Sequence, residues 1–436
     1  MKIFISILLT VFYASVYLFG QPVVTYKADP DEAKKQFSNG NYAAAIKIYQ
    51  LLLKKQPTSI EYNYKLAQSY LLSNSIKEKA IPPLEYIIKQ PKFDSEVWYD
   101  LGKAYHYANR FDNAINAFNK FKELGGKKDS DVDRLIEMCQ NGKILIQHKV
   151  NVQFENLGKD VNSIFSDFYP FITSNDQTLI FTSRRKSGTS TEVEFDGLYA
   201  SDIYICTNKG DGKWSKAASV GTNINTKLDE EATDISEDGN TIIFYIDHIE
   251  VFGDLWAANK LNSKGPYLQS QPLGDRINEG HETSACIWRS VEAEQELLLL
   301  SSSRPGNFGE TDIYSSRKIP SVKSKTGWEW GEPQNLGPNI NTQYSEEFPH
   351  LSADGKTLYF ASKGHSSMGG FDIFKSVWDE DENTWSAPKN LGYPINNSQD
   401  NMNISFTSEG RIAYMSAMRE DGLGDLDIYR LILNDI

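Results

Sequence analysis

From about Ala28 to Leu124, apolar residues recur every three or four positions, the period of helices that bury one face, and the pattern repeats at close to 34 residues. The first unit carries Gly40, Tyr42, Ala45, Tyr49 and Pro57, and the third carries Trp98, Leu101, Gly102, Tyr105, Phe111, Ala114 and Phe118. Small residues let paired helices approach, and aromatics fill the space between pairs. The second unit (Leu66, Ala67, Tyr70, Ala80, Pro91) puts Pro82 and Pro83 where its second helix begins, a place that tolerates proline. Asp129 to Ile146 reads as one more helix, polar on one side, which caps the stack.

After residue 150 the period shortens to alternating runs bounded by Gly, Asn, Asp and Ser. Gly158, Gly221, Gly274, Gly337 and Gly392 are each followed at plus three by Val161, Ile224, Ile277, Ile340 and Ile395, and at plus four by Asn162, Asn225, Asn278, Asn341 and Asn396. A strand and a tight turn follow, as in Ser236-Glu237-Asp238-Gly239 or Ser352-Ala353-Asp354-Gly355, where Asp-Gly supplies the positive φ of a hairpin. A second strand comes next, then a third opening Asp202-Ile203-Tyr204, Asp254-Leu255-Trp256, Asp312-Ile313-Tyr314, Asp372-Ile373-Phe374 or Asp427-Ile428-Tyr429. A fourth runs from a Trp into Leu-Gly. Four strands per unit, at spacings of 63, 53, 63 and 55 residues, predict a five-bladed β-propeller. The last unit stops after its third strand, while Val152 to Gly158 forms a fourth strand without a blade, so this N-terminal strand is expected to complete the C-terminal blade and close the ring.

Charge divides the chain in the same place. Residues 21–150 hold 20 Lys and Arg against 15 Asp and Glu, whereas residues 151–436 hold 24 against 43, which disfavours nucleic acid and anionic lipid as partners. The first twenty residues, a basic start followed by an apolar run to Phe19 and Gly20, read as a secretory signal peptide cut before Gln21. No cysteine precedes Cys139, so no lipid-acceptor cysteine follows the signal, and the mature chain is expected in the periplasm or at the outer membrane with no transmembrane domain. Cys139, Cys206 and Cys286 fit neither a disulfide framework nor a metal-ligand spacing and read as buried thiols.

The helical units resemble the tetratricopeptide (TPR) family over about 100 residues. The resemblance implies a groove lined by the first helix of each pair, with Tyr64, Gln68, Tyr99, Lys103 and His106 facing a partner segment. The blades, with Asp-Gly, Asp-Ile-Tyr and Asn-Leu-Gly in register, resemble PD40 or WD40-like propeller repeats of TolB and of Bacteroidetes envelope proteins. The junction from Ile136 through Gly142 to Asn156-Leu157-Gly158 and Thr182-Ser183-Arg184-Arg185 is similar to envelope proteins of the PorE kind. Those relatives carry a C-terminal OmpA-like, peptidoglycan-binding module that has no counterpart in this sequence.

Known chemistries fit poorly. His281-Glu282-Thr283-Ser284-Ala285 lacks the second histidine of a zincin helix, and Gly364-His365-Ser366-Ser367-Met368 lacks the final glycine of a nucleophile elbow. Asp379, Asp381 and Asn383 lack the glycine and glutamate of an EF-hand, and no Walker loop occurs. One constellation arises from the repeat itself. Aligning blades on their turns brings Asp167, Glu230, His281, Glu346 and Asn401 to one position before the innermost strand. There they would gather at one mouth of the channel to attract a basic segment or a cation, or each would cap its own turn.

The expectation is an α plus all-β multidomain chain: signal peptide 1–20, TPR helical repeats with a capping helix 21–147, and a five-bladed propeller 148–436. No enzyme, no cofactor and no metal site is expected. The leading reading is a non-catalytic envelope scaffold that binds envelope proteins in a complex resembling type IX secretion; the alternatives are a glycan- or peptide-binding receptor using the propeller face, and a propeller hydrolase.

Overall fold

Helices occupy the chain up to residue 147 and strands the chain from residue 152 onward. The computed structural model describes residues 25–74, 76–126, 132–173, 175–247, 253–290, 295–322, 324 and 327–434, so the segment expected to be a signal peptide, with its expected Gly20–Gln21 cleavage, and Asp129 lie outside it. Among the described residues, no helix is long and apolar enough to cross a membrane.

Among the described residues seven α-helices run in order: α1 (Pro30–Ser38), α2 (Tyr42–Lys55), α3 (Ile60–Leu72), α4 (Ile81–Ile87), α5 (Glu96–Tyr107), α6 (Phe111–Glu123) and α7 (Val132–Gln147). Local chemistry sets their starts. The Asp29 carboxylate accepts from the Asp31 and Glu32 amides, Asn41 from Ala44, and Ser59 from Tyr62, each satisfying first-turn donors that a helix leaves open. Pro82 and Pro83 stand in the first turn of α4, where the missing amide costs nothing. Packing requires small residues at two crossings. A Cβ on Gly102 would lie 2.5 Å from the Phe118 ring, and one on Gly142 would lie 2.5 Å from Phe111. Tyr49, Phe118 and Phe121 are fully buried between helices, each contributing roughly 2–3 kcal/mol by burial.

The strands form five antiparallel sheets, the five blades of a propeller. Their innermost strands are Asp167–Ile172, Asp229–Ile235, Glu282–Ser290, Glu346–Leu351 and Ser405–Phe406, in blades 1 to 5. Hairpin turns are where the Asp-Gly pairs predict them, with Gly239 at φ 69° and Gly355 at φ 71°. The plus-four asparagine fastens one blade to the next. Asn225 accepts from the Ile203 amide at 3.0 Å and donates to the Ile203 carbonyl at 2.9 Å, taking the place of a neighbouring strand. Asn341 does the same to Ile313, Asn396 to Ile373 and Asn278 to Leu255. Asn162 does it to Ile428, which ties blade 1 to blade 5. Val152–Asn156 pairs antiparallel with Asp427–Leu433, Val152 opposite Leu433 and Asn156 opposite Tyr429, so the outer strand of blade 5 comes from the chain before blade 1.

The helices are seated on a loop of blade 4. Buried Arg134 of α7 donates to the carbonyls of Lys363 (2.7 Å), Gly364 (2.8 Å) and His365 (3.1 Å) and to Ser367 Oγ (2.7 Å). Asn141 donates to the Ser367 carbonyl, and the fully buried Met368 side chain packs within the apolar core of the helices. The segment whose pattern approaches a nucleophile elbow is therefore the anchoring loop between helices and propeller.

Candidate functional site

The central channel is shaped by irregularities shared by its walls. Pairing in the innermost strands of blades 1 to 4 shifts register between Phe168 and Phe171, Ala232 and Asp234, Glu282 and Ser284, and Glu347 and His350. Such bulges re-aim side chains. Tyr169 and Phe348 occupy the left-handed region at φ 50° each, a conformation that costs bulky residues free energy and marks places the surroundings hold by force. Their rings meet across the channel, centroids 4.5 Å apart, and divide it into two ends.

The end at the start of the inner strands lies beneath the helices. It holds a cavity of about 490 Å³ lined by Glu194, Asp196, Asp229, Glu231, Asp247 and Asp400, with Tyr169, Phe168 and Met402 as its floor and Tyr107 and Lys77 reaching in from the helices. Arg184 also lines it, but its guanidinium is engaged by Glu194 at 2.6 Å and Asp196 at 2.5 Å. The Lys77 ammonium donates to the Leu71 and Ser73 carbonyls, and burial lowers its pKa. Burial, reinforced by Asp229 and Asp247, pushes the Glu231 carboxyl up to about 7. The cavity thus carries uncompensated carboxylate charge over an aromatic floor.

The five ring positions read from the sequence are not the ones that line this cavity. Asp167 is fully buried, ion-paired with Arg185 and accepting from the Ser163 amide. Glu230 accepts from Thr226 through both amide and hydroxyl, and Glu346 does so from Thr342 and also from Ser362. Asn401 accepts from the Asn397 amide at 2.8 Å. Each closes its own loop four residues back, so of the two roles open to this position the structure shows turn capping. Burial raises Glu230 and Glu346 to about 7. His281 is out of register: the loop of blade 3 is one residue shorter, and buried Glu282 occupies the position, bonded to the Gly280 amide and Ser302. His281 is instead exposed beside Tyr245. The residue one step later faces the channel, as strand alternation dictates, and Phe168, Glu231 and Met402 are those residues in blades 1, 2 and 5. Shifting the repeat alignment by one would have found them.

At the far end of the inner strands, Asp234, Cys286 and His350 bring a carboxylate oxygen, a thiol sulfur and an imidazole nitrogen within 4.8 Å of one another. They are the residues here that could hold a metal. The Ile287 amide donates to Asp234 at 2.9 Å, and His350 Nδ1 is buried with no hydrogen-bond partner, although its ring is partly exposed. Burial pushes Asp234 up to about 8 and His350 down to about 4. Cys139 and Cys206 are buried elsewhere.

The five helical residues do not form one open groove. Tyr99 is buried against Phe118 and Phe121, and His106 is buried with Nε2 2.6 Å from the Met368 carbonyl, at the seat on blade 4. Tyr64 donates to Asp100 at 3.0 Å, Lys103 pairs with Asp100 at 3.5 Å, and Gln68 accepts from Lys65. Consensus spacing carried His106 to a groove because it cannot see that the propeller covers this end of α5, and carried Tyr99 there although its ring packs on α6.

No family model matches the chain, and no curated protein does. Among solved structures it is similar to TolB from Acinetobacter baumannii, at 12% identity over 71% of each chain with a TM-score of 0.37. It is also similar to a GH62 hydrolase in complex with xylotriose, at 8% identity over 64% of this chain and 96% of that one, TM-score 0.40. A structure from the GH130 family of mannoside phosphorylases follows, at 12% identity over 64% and 93%, TM-score 0.39. The expectation that the chain is no enzyme is corrected by these glycoside hydrolases among its structural neighbours. At these scores the likeness assigns this chain no activity of its own.

Proposed function

We propose that the protein is a receptor whose propeller face, at the acidic end of the channel, binds a peptide segment bearing a lysine or arginine. The observation that supports it is a cavity in which six carboxylates face one lysine and one arginine, over a floor of Tyr169 and Phe168. A guanidinium or ammonium gains there from several carboxylates at once and from the aromatic faces. We read residues 1–20 as an export signal, 21–147 as TPR repeats and 148–436 as the propeller, and place the receptor in the envelope, where partner proteins of a secretion or outer-membrane complex would supply the segment. Isothermal titration of the full chain with arginine- and lysine-containing tripeptides tests this. Saturable binding that weakens with salt supports it, and equal binding of neutral peptides would overturn it.

A second reading rests on Glu231. A carboxyl held near 7 beside Asp229 is matched to general-acid chemistry at neutral pH, and the polyhydroxy surface of a glycan also suits a carboxylate-lined, aromatic-floored cavity. Hydrolysis of oligosaccharides that is lost in Glu231→Gln would favour this reading over the peptide receptor.

A further inference from the structure

We propose that Asp234, Cys286 and His350 form a three-ligand zinc site at the far end of the channel. This goes beyond the receptor reading, which uses the other end. The three residues are not scattered. Asp234 stands thirteen residues after Gly221, His350 thirteen after Gly337, and Cys286 twelve after Gly274, whose loop is one residue shorter. They occupy one repeat position in blades 2, 3 and 4, and the ring converts that periodicity into convergence. Blades 1 and 5 place Phe171 and Ser405 at the same position, so the ligands form one continuous arc.

The chemistry of the donors selects the metal. One thiolate, one imidazole and one carboxylate are the ligand types of zinc, and with zinc bonds of about 2.0–2.3 Å a tetrahedral site brings ligand atoms about 3.5 Å apart. The observed upper limit of 4.8 Å is within a small side-chain adjustment of that. Charge also balances: a dication with one thiolate and one carboxylate is neutral, the condition under which a buried site avoids a large desolvation penalty. His350 Nδ1 has no other partner. The Ile287 amide donates to the Asp234 carboxylate at 2.9 Å, and the Cys286 thiol hydrogen-bonds the same carboxylate, a proton that a bound zinc would displace. Hydrogen bonding of this kind orients a ligand around its metal. The adjoining cavity of about 70 Å³, bounded by Ile172, Tyr359 and Phe406, has room for a water in the fourth position. Three protein ligands and one open position is the arrangement of zinc sites that bind an exchangeable group.

Metal-free full-length protein is titrated with zinc against a chromophoric chelator and, separately, with cobalt, whose bond to a thiolate gives a charge-transfer band. One equivalent of zinc per chain and a cobalt–thiolate band are expected. His350→Gln should weaken zinc on the order of 100-fold, and Cys286→Ser should abolish the band, whereas Cys139→Ser and Cys206→Ser leave both unchanged. Circular dichroism of each variant reports whether the propeller is folded, and His350→Gln and Asp234→Asn decide the matter if Cys286→Ser does not fold. Sub-stoichiometric binding, or binding that persists unchanged in His350→Gln and Asp234→Asn, would overturn the assignment.

Discussion

The two ends of the channel are lined by the same inner strands, yet one is a wide acidic chamber and the other a narrow pocket of mixed donors. At the helix end, adjacent positions have opposite fates. The residue five after the repeat asparagine turns inward to satisfy its loop, and the next one turns to the channel, so Glu230 is spent on Thr226 while Glu231 remains available. At the far end the same alternation has no loop to satisfy, and the side chains meet one another instead. Two carboxylates one residue apart can therefore serve unrelated ends, one structural and one chemical, and composition alone does not separate them.

Substitutions can test that separation. Glu346→Ala removes the acceptor shared by Thr342 and Ser362 in a fully buried position and is expected to cost about 4 kcal/mol in urea denaturation. The exposed cavity acid Asp247, changed to Asn, should cost under about 0.5 kcal/mol; equal losses would erase the distinction. Arg134→Ala should cost about 3 kcal/mol and split thermal unfolding into two transitions, because the guanidinium is the main polar tie between helices and propeller. A single unshifted transition would show the helices held by other means. Glu231→Gln together with Asp247→Asn should weaken tripeptide binding about tenfold and flatten its salt dependence, while Asp167→Asn, on the capping position, should affect stability first.

A further effect is expected on pH. Glu230, Glu231 and Glu346 have pKa values raised by burial from 4.5 to about 7, so the folded state holds protons that the unfolded state has released. Their contribution is intact below about 4.5 and is lost as pH rises through about 7, so the protein should be less stable at pH 8 than at pH 5. Glu231→Gln should reduce that slope, measured by urea denaturation at both values, and an unchanged slope would show that Glu231 meets water freely. Peptide affinity should run the other way, rising through the same window as Glu231 ionises.

Much of this was legible in the chain because the repeat is strict. Gly-x-x-Ile/Val-Asn spacing marks the blades, and the asparagine is the same in all five because its side chain must both accept from and donate to a strand of the preceding blade. What the repeat did not reveal was register at single-residue precision. One residue missing from the blade 3 loop moved Glu282, not His281, into line. Nor did local spacing expose Asp234, Cys286 and His350, since ligand patterns are usually sought within one helix or loop and these lie on three strands more than fifty residues apart. The helical side was harder because His106 has its surroundings set by a contact distant in sequence, the Met368 carbonyl of blade 4.

The strand Val152–Asn156 has a consequence in time. It is synthesised before any blade, but its partner Asp427–Leu433 follows all four other blades, so until then it must wait unpaired while four blades fold around it. Contacts of such long sequence separation are slow to form, and an unpaired apolar edge is prone to mispairing meanwhile. Completion of the ring is therefore a step with a late deadline, and a chain stopped before Asp427 would leave the earliest strand without a place to go.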